Sequence, residues 1–159
     1  MIFVAVGTQK FPFDRLLKGI DDLIEQGQLE SDVFAQIGHT DYAPRNYRYQ
    51  NFLTKDDFQS YISSCDVLIT HSGVATIIAG MKLEKPVVVV PRFASYGEHV
   101  DDHQLQIAES FSDKNLVLMC KEVENLAEMV NQAQKHRFSK YVSQQERIIH
   151  TIRDYLENI

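Results

Sequence analysis

The stretch that most constrains this chain runs from Val67 to Gly80, VLITHSGVATIIAG. Val67, Leu68 and Ile69 lead into Thr70-His71-Ser72-Gly73, and the residues from Val74 to about Gly80 contain no helix breaker. The pattern predicts a buried strand, a tight Gly-containing turn and a helix that opens at the turn. In an open α/β sheet, ligands bind in the crevice beyond such turns. The first turn of the helix adds unpaired N–H groups and the positive end of its dipole, which favours an anionic ligand. Spacing alone therefore specifies an α/β protein with a candidate anion site.

The rest of the chain repeats the alternation. Ile2 to Val6 reads as a buried first strand closed by Gly7-Thr8-Gln9-Lys10. A helix follows, with Phe13, Leu16, Leu17, Ile20, Leu23 and Ile24 on one face and Gly27 suited to its end. Val33 to Ile37 is a second strand, and Tyr47 to Phe52 is a shorter, more polar one suited to a sheet edge. Thr54-Lys55-Asp56-Asp57 has the spacing that opens a helix carrying Phe58, Tyr61 and Ile62. Val87 to Val90, framed by Pro86 and Pro91, is the most β-branched run and reads as a central parallel strand. A loop from Arg92 to Asp101 precedes a helix from His103 to Phe111, a last strand from Leu116 to Met119, and a helix from Glu122 to Gln134. The final segment, about 139 to 159, places Tyr141, Gln145, Ile148, Ile149, Ile152, Tyr155, Leu156 and Ile159 along one stripe of a long amphipathic helix. The reading is one α/β domain over residues 1–159, a doubly wound, parallel, Rossmann-like sheet.

Composition narrows the partners. A formal net charge of −6 and a pI near 5.4 argue against a nucleic-acid binder and against a polybasic membrane anchor. Anions stay possible, because helix N-termini hold phosphates without excess Lys or Arg. Cys65 and Cys120 sit beside apolar runs and read as buried thiols in a reducing compartment. The chain opens directly on its first strand, without a basic leader, and no stretch approaches the ~20 apolar residues of a membrane span. The expectation is a soluble, cytoplasmic protein.

Four loops at strand ends are positioned to carry chemistry: Gly7 to Phe13, Gly38 to Tyr42, Thr70 to Thr76 and Arg92 to Gln104. The first lacks both G-x-G-x-x-G and G-x-x-x-x-G-K-[ST], which disfavours a dinucleotide-type site or a P-loop NTPase. His99 and His103 have H-x-x-x-H spacing, but neither a general-base Glu nor a third ligand accompanies them, so a structural or substrate-binding role outweighs a metal role. His71 stands at a strand end, as either an acid or base, a substrate contact, or a satisfied turn histidine. Ser72-Gly73 lacks the context of a nucleophile elbow.

Taken together, Val6-Gly7-Thr8-Gln9 with Phe11-Pro12-Phe13-Asp14, Gln36-Ile37-Gly38-His39, His71-Ser72-Gly73 followed by Thr76-Ile77, Pro91-Arg92, and Glu98-His99 followed by Asp101-Asp102-His103-Gln104-Leu105 resemble the C-terminal, donor-binding domain of family 28 glycosyltransferases. The resemblance spans nearly the whole chain. It is greatest to small single-domain members: a subunit of the eukaryotic dolichol-linked N-acetylglucosamine transferase, and bacterial capsule and exopolysaccharide subunits. It implies one half of a GT-B enzyme, the C-terminal domain, that binds a UDP-sugar with no cofactor and no obligatory metal. By position, Gly7 and Thr8 and the N–H groups of Ser72, Gly73 and Val74 would face the diphosphate, with Gln9, Thr76 and Arg92 in the same donor site. Asp102, His103 and Gln104 would meet the donor sugar hydroxyls, Gln104 foremost. The family commonly places a ribose-binding Glu where this chain has Ala79.

The implied function is an inverting transfer that works with a membrane-associated, acceptor-binding partner subunit, on a lipid-linked saccharide at the inner face of the plasma membrane. The expected donor is UDP-galactose, for a β-1,4 transfer in capsular or exopolysaccharide assembly. UDP-N-acetylglucosamine transfer is the alternative. So is a non-catalytic regulatory subunit that has lost donor binding, a reading Ala79 favours. An unrelated Rossmann-like protein using NAD or a flavin is a third class, which the missing glycine motif disfavours. The general base is open between the partner and His71, His39 or His99, and the long C-terminal helix is a candidate docking element.

Overall fold

The computed structural model describes residues 1–158, apart from the side chains at positions 144, 146 to 148 and 150. The expected alternation is present. Strands β1 (Ile2–Ala5), β2 (Val33–Gln36), β3 (Arg48–Gln50), β4 (Val67–Thr70), β5 (Val87–Val89) and β6 (Leu118–Met119) interleave with helices α1 (Asp14–Glu25), α2 (Lys55–Ser64), α3 (Val74–Lys82), α4 (His103–Asp113), α5 (Leu126–Lys135) and α6 (Gln144–Glu157). The strands form one parallel sheet in the order β3-β2-β1-β4-β5-β6. β3 lies at an edge with all three of its residues exposed, as its polar sequence predicts.

Strand alternation divides the core in two. Ile2, Val4, Val33, Ala35, Val67, Ile69 and Val88 point to the face covered by α1 and α5, where Leu16, Leu17, Ile20, Leu126 and Val130 are buried. Phe3, Ala5, Phe34, Leu68, Val87 and Val89 point to the opposite face, against Ile62 of α2, Ile77 and Met81 of α3 and Ala108 of α4. Burial on both faces explains why the central strands are runs of apolar residues rather than alternating ones. Cys65 and Cys120 are free and buried. Burial pushes both thiols up, Cys120 to about 11.

Two local devices hold the loops near the working end. Thr54 caps α2, its hydroxyl accepting from the Asp57 N–H at 3.1 Å. Asp21 on α1 is fully buried, and its carboxylate accepts from the Tyr42 hydroxyl at 2.7 Å and from the Arg45 and Asn46 N–H groups, both at 2.9 Å. That carboxylate fastens the β2–β3 connection to α1.

The C-terminal helix is shorter than the sequence suggests, starting at Gln144 rather than near 139. Asn115 adopts a left-handed φ of 57°. Its side chain donates to the Arg137 carbonyl and to Ser139 Oγ, and its carbonyl accepts from the Ser139 N–H. These bonds compete with helix formation across 137 to 139. Of the expected stripe, Ile149, Ile152, Tyr155 and Leu156 are 48%, 54%, 69% and 64% exposed, so this apolar face does not pack on the chain's own sheet. The Ile148 side chain and Ile159 lie outside the described residues. Among the described residues, no helix is long and apolar enough to cross a membrane.

Removing the Asp21 carboxylate leaves three donors without their partner. Asp21→Ala is expected to cost about 3 kcal/mol in urea unfolding, without changing the secondary structure seen by circular dichroism.

Candidate functional site

Strand order reverses direction between β1 and β4, and the crevice at their C-terminal ends is where a doubly wound sheet binds its ligand. Loops from three strands meet there. A cavity of about 480 Å³ is lined by Gly7, Thr8 and Gln9 after β1, Gln36 at the end of β2, His71 and Gly73 after β4, and Ala75 and Thr76 in the first turn of α3. Leu53, Lys55 and Phe58, from the start of α2, complete the wall.

The site has the chemistry of an anion cradle with an apolar flank. The first intrahelical bond of α3 runs from the Ile77 N–H to the Gly73 carbonyl. The N–H groups of Val74, Ala75 and Thr76 are thus left at the helix start, and Gly73 provides no side-chain cap. Gly7 has φ +83°, and a Cβ there would sit 2.5 Å from His71 Nε2. A Cβ on Gly73 would lie 2.6 Å from the same nitrogen. The two glycines therefore keep open the space around that edge of the ring. Ser72 is buried, and its Oγ has no hydrogen-bond partner among the described residues; the same holds for Gln36 Oε1. Such buried, unpartnered oxygens suit a site that a polar ligand completes.

Behind the cradle stands a buried cation. The Arg92 guanidinium donates to the carbonyls of Val6, Phe11, Pro12 and Glu98, and it lies 4.7 Å from the Phe13 ring centroid. Burial lowers its pKa to about 10, against the opposing pull of Glu98, so it remains charged at neutral pH. The Glu98 carboxylate is itself buried and pairs with Arg15 of α1 at 2.7 Å. The Arg92 N–H donates to Gln104 Oε1 at 3.1 Å, and Gln104 Nε2 lies 3.2 Å from His71 Nδ1.

This arrangement revises several sequence expectations. Arg92 does not line the cavity; its two terminal nitrogens donate to the loop carbonyls it ties together, and its Nε has no partner among the described residues. Gln104 is 5% exposed, its amide oxygen accepting from the Arg92 N–H and its nitrogen facing His71 Nδ1, so it also supports the His71 ring. His71 does not suit an acid–base role at neutral pH. Burial, reinforced by the Arg92 charge, lowers its pKa to about 3 and keeps the ring neutral.

Other expected residues lie nearby in varied states. Thr8, Gln9 and Val74 are exposed at the mouth, and Thr76 lines the cavity. Asp102 precedes α4 and accepts from the Ala94 N–H at 2.9 Å, while His103 opens that helix, exposed. His99 lies before the helix, 5.2 Å between ring centroids from Phe11 and 3.3 Å from Asp101 Oδ1, so it does not share a helical face with His103. His39 is exposed, edge-on to Phe52. Among the described residues, no group of three or more His, Cys, Asp or Glu side chains gathers as a metal site.

Sequence reasoning missed Gln36, Leu53, Lys55 and Phe58. Gln36 had a signal, as a polar residue ending an apolar buried strand. The other three did not, because the start of α2 reaches the crevice only through the fold.

The lowered pKa of His71 has a consequence for stability. Between pH 6.5 and about 3, the unfolded chain binds a proton that the folded chain refuses. Folding stability should therefore be level with respect to this group above pH 6.5 and fall as pH drops, by up to about 1.4 kcal/mol per pH unit. Chemical unfolding of wild type and His71→Asn across pH 4 to 8 should show the slope reduced in the variant.

The comparisons with known proteins agree with this geometry. The model of the glycosyltransferase family 28 C-terminal domain matches residues 1–159. Among curated proteins, the UDP-N-acetylglucosamine transferase subunit ALG13 of Candida albicans is 28% identical over 98 residues, covering 62% of this chain and 32% of that protein. The subunit of the same name from Debaryomyces hansenii is 30% identical over 107 residues, covering 62% of this chain and 50% of the relative. The matched stretch thus spans between a third and half of these relatives. Among solved structures, the glycosyltransferase of kitacinnamycin aligns over 85% of this chain and 35% of its own, with a TM-score of 0.64 at 18% identity. Spinosyn forosaminyltransferase SpnP covers the same shares at 0.60 and 16%. Acinetobacter baumannii MurG covers 85% and 45%, at 0.51 and 21%. At these identities the structures speak for the fold, and the fold agrees with the family match. The chain belongs to the glycosyltransferase family 28 C-terminal domain family.

Proposed function

We propose that this chain is the donor-binding half of an inverting glycosyltransferase that uses a UDP-sugar, with UDP-N-acetylglucosamine as the preferred donor. The observation that carries the reading is the cradle itself. Gly7, Gly73, the first N–H groups of α3 and the His71 edge converge on one cavity at the sheet's switch point. Such a cradle suits a diphosphate. The Leu53 and Phe58 flank suits the nucleobase, and Thr76 and Gln36 offer polar contacts that Ala79 does not. The name carried by both curated relatives favours N-acetylglucosamine over the galactose and capsule reading.

In the proposed reaction an acceptor hydroxyl attacks the anomeric carbon, the bond to the diphosphate oxygen breaks, and UDP leaves. The N–H groups at the α3 terminus meet the charge that develops on the leaving diphosphate, so no obligatory metal is invoked. His71 is too weak a base to take the acceptor proton near neutral pH. The base therefore comes from outside this cavity.

The acceptor half of the enzyme is supplied by a membrane-associated partner, which brings this chain to a lipid-linked saccharide. Two surfaces support a partner. Phe52, Val74, Tyr96 and Val100 are exposed in loops or a helix start at the mouth end of the sheet, and α6 exposes its apolar face separately.

Calorimetry with UDP, UDP-N-acetylglucosamine and UDP-galactose is the test, on the chain and on its complex with a co-purified partner. Binding of UDP and a preference for the N-acetylglucosamine donor are expected. Gly7→Ala should weaken binding about tenfold or more, since its Cβ enters the cradle from a backbone conformation that favours glycine. Absence of binding to every UDP compound, in both preparations, would remove the enzyme reading.

A further inference from the structure

We propose that Gln104 is a positioning residue that holds His71 in its Nε2–H tautomer, so that the ring donates a hydrogen bond into the diphosphate cradle. The proposal rests on the donor-binding reading above and deepens it. A backbone N–H only donates, so the Arg92 N–H, 3.1 Å from the Gln104 side chain, must face the amide oxygen. The amide nitrogen then faces His71 Nδ1 at 3.2 Å. An amide NH2 also only donates, so Nδ1 accepts, and in a neutral imidazole the proton is then on Nε2. Gln104 and His71 are 5% and 6% exposed, which leaves little room for water to substitute for either bond.

Nε2 is the atom that matters for the ligand. It lies 2.5 Å from where a Gly7 Cβ would stand and 2.6 Å from a Gly73 Cβ, and it has no protein partner among the described residues. The ring therefore offers its N–H to the gap between the two glycines, where the N–H groups of α3 also gather. The charged and titratable groups acting on the ring are Arg92 from the β5–α4 connection and His99 farther along it. Lys55 of α2 lines the same cavity. All three are bases, and no carboxylate is among the groups acting on the ring, so it stays neutral and the Nε2 proton persists across the physiological range.

A carboxylate at position 104 should invert this logic. In Gln104→Glu the side chain can only accept. Near neutral pH it draws the proton to Nδ1 and turns the Nε2 lone pair toward the phosphates. It also raises the His71 pKa, so lowering the pH restores a proton on both nitrogens. UDP-N-acetylglucosamine is a suitable probe, because neither phosphate of this diester titrates between pH 5.5 and 8. Wild type should bind it with level affinity across that range. Gln104→Glu should bind about tenfold more weakly at pH 8 and recover most of the loss at pH 5.5. A uniform loss at every pH would reduce Gln104 to a structural role and overturn the proposal.

A second measurement reads the tautomer directly. In the full chain with 15N-labelled histidine, long-range proton–nitrogen spectra report the tautomer of each ring, and His71→Asn assigns the signal. An Nε2–H ring at pH 7, with its Nε2 resonance moved by UDP-N-acetylglucosamine, is the expected result. An Nδ1–H ring or an imidazolium overturns the proposal even if donor binds. Donor binding that shifts other resonances and leaves His71 Nε2 unmoved overturns it too. If no resonance responds to the UDP-sugar while the ring is Nε2–H, the donor-binding reading fails and takes the proposed role with it.

Discussion

The geometry of the crevice depends on one buried guanidinium. The Arg92 guanidinium reaches the carbonyls of Val6, Phe11, Pro12 and Glu98 together, and those carbonyls belong to the β1–α1 and β5–α4 connections. Burying a cation is costly unless it is hydrogen-bonded, and Arg92 donates from both terminal nitrogens to backbone oxygens, while its Nε has no partner among the described residues. The planar fork reaches several carbonyls at once, which a lysine ammonium on its flexible stem would not reproduce. Through its own N–H it also orients Gln104, and through Gln104 the His71 ring. Loops that approach a ligand are usually the least ordered parts of a fold. Here they are held from behind, by a group that does not line the cavity.

Arg92 stands behind the cradle, Glu98 and Arg15 form an ion pair farther out, and the cavity wall presents helix-start N–H groups, a neutral ring, the Gln36 oxygen and a single cationic side chain among the described residues, Lys55. The result reconciles an acidic chain, of net charge −6, with a site for an anion. Backbone dipoles aimed at a point replace surplus basic side chains. On the proposed reading, such fixed groups need little reorganisation as negative charge builds on a leaving diphosphate.

Family membership gives this architecture its context. The solved glycosyltransferases similar to this chain are roughly twice its length, since alignments covering 85% of this chain cover 35% to 45% of theirs. Most of the exposed large apolar residues lie at the rim of the crevice and on α6, with Tyr49 on the edge strand and Val142 just before α6 apart from them. Clustered exposed apolar residues are characteristic of sites that meet another molecule. On the proposed reading, the rim faces the acceptor half and α6 supplies a separate attachment.

Local chemistry made the fold legible in the residues themselves. Apolar runs of strand length, helical spacing between them, and Thr54 or Gly27 at element ends report the αβ alternation, because backbone hydrogen bonding and burial act over a few residues. The Val67–Gly80 stretch specified the strand, the turn and the helix whose N–H groups form the cradle. The presence of the site's glycines, His71 and Arg92 was legible too, through spacing and resemblance. What each does was not. Arg92 and Gln104 read as ligand contacts, yet they are buried supports. His71 read as a possible base, yet burial beside Arg92 keeps its ring neutral. Lys55, Leu53 and Phe58 gave no signal at all. These roles depend on which atoms meet across 33 to 86 residues of sequence, and on how much water the packing leaves beside them. Only the tertiary structure decides those two quantities, because desolvation and long-range contacts belong to the assembled chain and not to any one segment of it.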